Sequence, residues 1–362
     1  MAVMECTTDA GMDRDDNSGF ESGTRPAEGR DRVQKPNQND LLEGTIMKLS
    51  TTCLALFLLA ASLAARGDNA LPDYPAVKIT DRVWVIHGPR ELPNPENKGF
   101  MNNPAFVVTS DGVAVIDPGS TLETGRMVLR QIRKVTEKPV THVFASHIHG
   151  DHWLGNQAIR EIYPAAKFFA HPVMIEQAHA GQAESWVEMM LRLTEGASKG
   201  TEAVIPDQVL EDGQEIRVGD VTFRIYLSDW AHTKTDAMVE VVEDSLLATG
   251  DNALYQRIGR MDDASFRGNI AACRQALDLK MKHYIPGHGD SGGPEVIEPF
   301  CNYLEVLYAK VAELYEEGLS DFEMKDTVVE SLSAYKEWSG FSDEVGRHIS
   351  LAVLEIEQAE FE

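Results

Sequence analysis

From residue 81 onward the apolar residues fall in short runs cut by polar turns. RVWVIHG at 82–88 and AFVVTSDGVAVIDPG at 105–119 are rich in valine, isoleucine and aromatics, and Ser110-Asp111-Gly112 interrupts the second. That pattern predicts antiparallel strands joined by a turn. The period then lengthens: LETGRMVLRQIRKVT at 122–136 sets Met127, Ile132 and Val135 on one helical face. VTHVFAS at 140–146 returns to a buried strand, and 155–163 reads as a helix. Further strands are expected at 221–228, 237–242 and 245–249, with a helix at 269–279. Strand, helix, strand, polar loop and helix in that order specify a layered α/β domain with its site at the carboxyl end of a strand. Two strand-rich halves, each finishing in a polar loop, point to a sandwich of similar halves.

Beyond residue 293 the period is helical throughout. Ile297, Phe300, Leu304, Leu307, Tyr308, Val311 and Leu314 recur at three- and four-residue steps up to Gly318, one apolar face of an amphipathic helix. A shorter pair is expected around 324–335 and 343–359, with Trp338 and Phe341 in the connection. The extension either packs on the core or walls the substrate pocket. Between the two strand-rich halves, 176–206 carries Trp186, Met189, Met190 and Leu191, a set that predicts an apolar helix either over the site or packed on the core, with the core preferred.

The first 46 residues have no such periodicity and are rich in Asp, Asn, Gly and Arg, so no packed structure is expected there. Met47 and Lys48 then precede an apolar run, CLALFLLAASL, and the small residues Ala64 and Ala65. A basic start, a short apolar stretch and a small-x-small site have the layout of a secretory signal, and the run is too short to span a membrane. The expected organisation is therefore an upstream mistranslation at 1–46, a signal peptide at 47–64 with Met47 as the biological start, a catalytic domain at 75–292, and a helical extension at 293–362. The mature protein is expected to be soluble, not membrane-spanning, and periplasmic or secreted. Past the signal only Cys273 and Cys301 remain, and the sequence leaves open whether they pair.

Composition narrows the partners. The chain has 362 residues, 43% of them hydrophobic, and 58 acids against 33 bases give a net charge of -25. Such a surface repels polyanions, so nucleic acid is excluded as a partner and a small-molecule substrate is expected. The oligomeric state is left open.

The chemistry is concentrated in SHIHGDHWLGN at 146–156, where His147, His149, Asp151 and His152 lie within six residues directly after an apolar strand. Side chains two apart on extended backbone point the same way, which lets His147 and His149 reach one metal while Asp151 and His152, past Gly150, face a second. Several desolvated imidazoles and a carboxylate in one loop need a shared cation to offset their burial. The remaining histidines, His87, His142, His171, His179, His283 and His348, read as structural.

This motif resembles that of the metallo-β-lactamase superfamily, and the resemblance extends downstream: His232 in WAHTKTD, Asp251 ending LLATGD and His288 in IPGHGD occur in the family's order. The resemblance covers roughly 77–292 and implies an αββα sandwich with a C-terminal helical extension. It puts His147, His149 and His232 on one metal and Asp151, His152 and His288 on another, with Asp251 bridging. The implied cofactor is two zinc ions, with iron or manganese tolerated by the same imidazole and carboxylate donors. Asp151 is the expected catalytic group, orienting a metal-bridging hydroxide and passing a proton to the leaving group. Asp117 in VIDPG matches a position beside the metals, and Tyr255, four residues past Asp251, is a candidate pocket residue. Aspartate at 251, where typical β-lactamases of the superfamily carry cysteine or serine, resembles the glyoxalase II, lactonase and phosphodiesterase branches. Exported members associated with quinoprotein dehydrogenases, the quinoprotein relay system zinc metallohydrolases, have a similar helical extension. The expected activity is hydrolysis of a small ester, lactone or thioester. The alternatives are β-lactam hydrolysis, iron-dependent sulfur or oxygen redox chemistry, and a non-catalytic accessory role.

Overall fold

A computed structural model of the protein describes residues 70–361. The segments 1–46 and 47–64, expected to be unstructured and a signal peptide, lie outside the described residues. The first half is a seven-stranded sheet in the sequential order β1 to β7. Strands β1 (Ala76–Lys78), β2 (Val83–Ile86), β3 (Ala105–Val108) and β4 (Val113–Ile116) pair antiparallel. From there β5 (Val140–Phe144), β6 (Lys167–Ala170) and β7 (Gln208–Val209) add in parallel. The connections are helical: α1 (Leu122–Val135) precedes β5, α2 (Gly150–Trp153) and α3 (Asn156–Ile162) precede β6, and α4 (Pro172–Gln177) and α5 (Ala183–Leu193) precede β7.

The second sheet has the order β12-β11-β10-β9-β8. It comprises β8 (Glu215–Val218), β9 (Val221–Leu227), β10 (Ala237–Val241), β11 (Leu246–Gly250) and β12 (His283–Pro286), with α6 (Phe266–Asp278) crossing between the last two. Only the pair β11 and β12 is parallel. Helices α7 (Glu298–Glu316), α8 (Asp321–Ser331) and α9 (Phe341–Ala359) follow.

Alternation along the strands explains the layers. In β2, β3 and β4 the residues Val83, Val85, Ala105, Val107, Ala114 and Ile116 face Val221, Phe223, Ile225, Val239 and Val241 of the second sheet in one buried cluster. Their neighbours Phe106, Val113 and Val115 turn outward and pack on Met127, Val128 and Ile132 of α1 and Ala158 and Ile159 of α3. On the far side Met238, Leu247 and Tyr284 of the second sheet meet α6 through α9. Helices, sheet, sheet and helices make the αββα sandwich expected from the resemblance.

Local sequence sets the ends. Thr121 caps α1 by accepting from the Thr124 amide at 3.3 Å, and Arg133 and Lys134 complement the helix dipole in its last turn. Met127 and Ile132 are buried as their spacing predicts, whereas Val135, the last helical residue, overhangs the sheet and is exposed. Ser320 and Glu323 form a capping box on α8. Cys273 on α6 and Cys301 on α7 form a disulfide with their Cα atoms 5.7 Å apart. Both half-cystines are fully buried. Among the described residues no helix is long and apolar enough to cross a membrane.

Candidate metal centre

Five connections meet at one edge of the sandwich. Asp117 follows β4, the 147–152 motif follows β5, His232 lies between β9 and β10, Asp251 follows β11 and His288 follows β12. Because β9 and β11 run antiparallel to β10 and parallel to one another, all these segments emerge on the same side. Gly250 has a φ of +52°, and a Cβ there would stand 2.7 Å from that of Ser146, so the β5 and β11 exits approach in a way only glycine allows. A Cβ on Gly287 would collide with the Asp251 carboxylate. Asn103 fastens the final turn, its side-chain amide donating to Pro286 O at 2.8 Å and Gly289 O at 2.6 Å.

The seven residues singled out in the sequence lie together, in three groups whose ligand atoms are within 4.8 Å of one another: His147, His149 and His232; His147, His152 and Asp251; Asp151, His152 and His288. Six are buried and His149 is half-buried. His232 Nε2 stands 3.1 Å from His149 Nδ1. His288 Nε2 is 3.2 Å from Asp151 Oδ2, and His152 Nε2 is 3.5 Å from the same oxygen. Asp251 reaches both sides, with Oδ1 3.2 Å from His152 Nε2 and Oδ2 3.4 and 3.6 Å from the Nε2 atoms of His288 and His232.

Around them the donors are oriented from behind. Asp117, held at a φ of +52°, accepts from the Ser146 amide at 2.7 Å and the Ser146 hydroxyl at 2.7 Å, and lies 2.8 Å from His152 Nδ1. The Ser146 hydroxyl is also 2.9 Å from His147 Nδ1, so one carboxylate orients two imidazoles. Met101 O takes the Nδ1 proton of His288 at 2.7 Å. With their outer nitrogens engaged, these three rings aim Nε2 inward.

The donor set fits divalent cations. His147 Nε2 is buried with no hydrogen-bond partner, and His152 Nε2 and Asp251 Oδ1 face each other at 3.2 Å without hydrogen-bond geometry, an arrangement that costs stability unless another species takes their lone pairs. Electrostatics agree. Burial and the neighbouring His152 and His149 push His147 well below the ordinary imidazole range, and burial takes His232 down to about 3. Burial opposes charge on His152 and His288 too, but Asp251 and Asp151 overcome it and hold both above the ordinary value. Neutral imidazoles on one side and a carboxylate-stabilised positive charge on the other are what a pair of cations replaces.

Further residues complete the site. Asp263 Oδ2 stands 3.1 Å from His149 Nε2, and its backbone carbonyl accepts from the Trp230 indole at 2.8 Å. Trp186 of α5 rests on the His149 ring with centroids 5.1 Å apart. Helix α5 does both things its sequence allowed: Ala183 and Met190 are buried in a core cluster with Trp153 and Met174, while Trp186 borders the site. Tyr255 is also corrected. The segment reverses at Gln256, with a φ of +53°, and the Tyr255 ring meets Trp338 in the seam with the C-terminal helices, 6.2 Å between centroids. The cavity of about 330 Å³ that it lines contains none of the seven clustered residues. Arg257, two residues on, is buried within the field of Asp151 and Asp251.

Comparison with known proteins agrees with this geometry. The sequence profile of the metallo-beta-lactamase superfamily matches residues 98–288. A probable metallo-hydrolase of Streptococcus pyogenes serotype M6 is 27% identical over 197 residues, 52% of this chain and 79% of that protein. Among solved structures, the metallo-beta-lactamase from Pontibacter korlensis superposes with a TM-score of 0.51 at 17% identity over 64% of this chain and 98% of its own. The stereoselective inverting sec-alkylsulfatase Pisa1 from Pseudomonas sp. gives 0.60 at 18% identity over 78% of this chain and 50% of its own. These structural likenesses concern the fold. With the profile spanning more than half of the chain over the strand-end residues that cluster here, the chain belongs to the metallo-beta-lactamase superfamily and is a metal-dependent hydrolase.

Proposed function

We propose that the protein is an exported dinuclear zinc hydrolase that cleaves a small ester, lactone or thioester. The observation that carries this reading is the convergence of five imidazoles and two carboxylates with inward-facing, unpartnered buried atoms. Nitrogen and carboxylate oxygen without thiolate suit zinc. Two such ions would acidify a shared water and polarise the scissile carbonyl. The chain itself supplies the rest. Asp151 orients the attacking water and carries its proton to the leaving oxygen or sulfur as the acyl bond breaks. Asp117 and Ser146 keep His147 and His152 in the tautomer that presents Nε2, and Trp186 shields His149 from bulk water.

Aspartate at 251 supports an ester-type substrate over a β-lactam, since the typical β-lactamase branch carries cysteine or serine there. Glutathione is disfavoured as the carrier: from Pro294 to the end, 17 acids stand against Lys310, Lys325, Lys336 and Arg347. Export is supported by the signal-like run before residue 65 together with the buried disulfide, which persists in oxidising compartments. The test is metal content by mass spectrometry with turnover of a p-nitrophenyl ester, a homoserine lactone, a glutathione thioester and nitrocefin, each with and without chelator. Two zinc ions per chain and chelator-sensitive cleavage of one of the first three are expected. A single iron, no turnover, or cleavage of nitrocefin alone overturns the reading.

A further inference from the structure

The cavity of about 330 Å³ beside Tyr255 contains none of the clustered ligands and has no part in the hydrolase reading. Its volume falls in the range of small-molecule sites, about 300–1,000 Å³. Three segments enclose it: Tyr255 and Gln256 after β11, Glu298 and Asn302 in the first turns of α7, and Tyr335 and Trp338 between α8 and α9. Half of these side chains are large aromatics. A seam between helices normally closes around such rings, because a ring left against a void forfeits its dispersion contacts. Here Tyr255, Tyr335 and Trp338 stay half-buried around open space.

The rings form a corner. The planes of Tyr255 and Trp338 stand at 68° with centroids 6.2 Å apart, and those of Tyr335 and Trp338 at 86° with centroids 5.2 Å apart. Packing and hydrogen bonds hold that corner. Tyr335 meets the buried Tyr303 ring at 5.3 Å, the Trp338 amide donates to Tyr335 O at 2.9 Å, and the Ser339 amide donates to Gln256 O at 3.1 Å. A corner built in advance loses little freedom when something enters it.

Charge decides the class of occupant. Of the described residues lining the cavity only Glu298, which is exposed, carries a charge. The nearby cation on which Glu298 acts, Arg274, is already committed: its guanidinium pairs with Glu305 and donates to Asn302 Oδ1 at 2.9 Å. The whole chain has a net charge of -25. An anion would meet no basic side chain in this lining, and a metal ion would find one carboxylate where it needs several oxygens. A quaternary ammonium donates no hydrogen bond, so aromatic surface and one counter-charge suffice to hold it. We infer that this cavity binds a trimethylammonium group, enclosed by Tyr255, Tyr335 and Trp338, with Glu298 as its counter-charge.

The experiment is calorimetric titration of the full chain with choline and with 3,3-dimethylbutan-1-ol, which has the same shape without the charge. Choline is expected to bind at least about tenfold more tightly, and Trp338→Leu should weaken it by about tenfold. Glu298→Gln should weaken choline by about threefold at low salt and by less at about 0.15 M, and being an exposed position it decides the matter should the leucine variant not fold. Equal affinity for the charged and neutral ligands, no saturable choline binding, or unchanged affinity in whichever variant folds overturns the inference. Choline affinity should also be the same with and without chelator. Binding lost with chelator would put choline at the metal centre and overturns the assignment to this cavity. Sedimentation with phosphatidylcholine vesicles, lost in the variants, would assign the group to a lipid headgroup, whereas choline binding without sedimentation assigns it to a soluble molecule.

Discussion

Gly287 and Asp117 show how much of the centre depends on residues that bind no metal. With a Cβ at 287 the Asp251 carboxylate has to move, so Gly287→Ala is expected to reduce bound metal from two ions per chain to one, read by mass spectrometry on folded protein. Asp117→Asn replaces an acceptor of three contacts by an amide with one acceptor oxygen. Metal affinity should fall about 10–100-fold, measured by competition with a chromophoric chelator. The first four clustered residues were legible in the sequence because histidine and aspartate at that density after an apolar strand have few other uses, and His232, Asp251 and His288 were reached through the family resemblance. Asp263 and Arg257 were not, since a lone acid and a guanidinium are ordinary at any surface position. Tyr255 was misplaced for a physical reason. Nearness to Asp251 in sequence does not survive the reversal at Gln256.

Among the elements, the C-terminal helices read well from periodicity alone, their apolar steps matching the buried residues Phe300, Leu304, Leu307, Val311 and Leu314 of α7. Helix α5 read less well, because the same period that marks a core helix also marks one laid across the edge of a pocket. How α9 is fastened was invisible. His348 sits fully buried, accepting from the Tyr303 hydroxyl at 2.9 Å and donating to Gly259 O at 2.9 Å, a pairing that needs the neutral ring. Burial, opposed weakly by Gly259 and Asp262, takes it down to about 4. The unfolded chain therefore binds this proton first as pH falls. The contribution is complete above about pH 6.5 and is lost toward pH 4, roughly 3 kcal/mol in all. Urea unfolding at pH 7 and pH 5 should show wild type losing stability over that window and His348→Gln losing less. The disulfide acts on the same layer. Closing a loop of 28 residues contributes about 3.5 kcal/mol in the chain-entropy account. The paired Cys273→Ala and Cys301→Ala variant should melt on the order of 10 °C lower.

Across the whole molecule, a net charge of -25 surrounds a site that collects cations and holds a buried arginine. An acidic small molecule approaching it would cross a repulsive field first. Raising ionic strength shortens the Debye length from about 30 Å at 0.01 M to about 8 Å at 0.15 M, which screens the outer field more than contacts inside the pocket. The kcat/KM for mono-p-nitrophenyl glutarate should accordingly rise about twofold over that range, with p-nitrophenyl acetate as the flat control. A fall for the acidic ester would show that its association is steered by attraction from afar.

The two backbone hydrogen bonds between Ser339 and the segment at Gln256 and Ile258 also bear on the order in which the protein is made. Residues 147–288 leave the ribosome well before residue 339, so a nascent chain has every clustered ligand while the loop at Gln256 still lacks the segment at Ser339 that it bonds. The two bonds that hold the loop at Gln256 can close only when the last helix is about to follow.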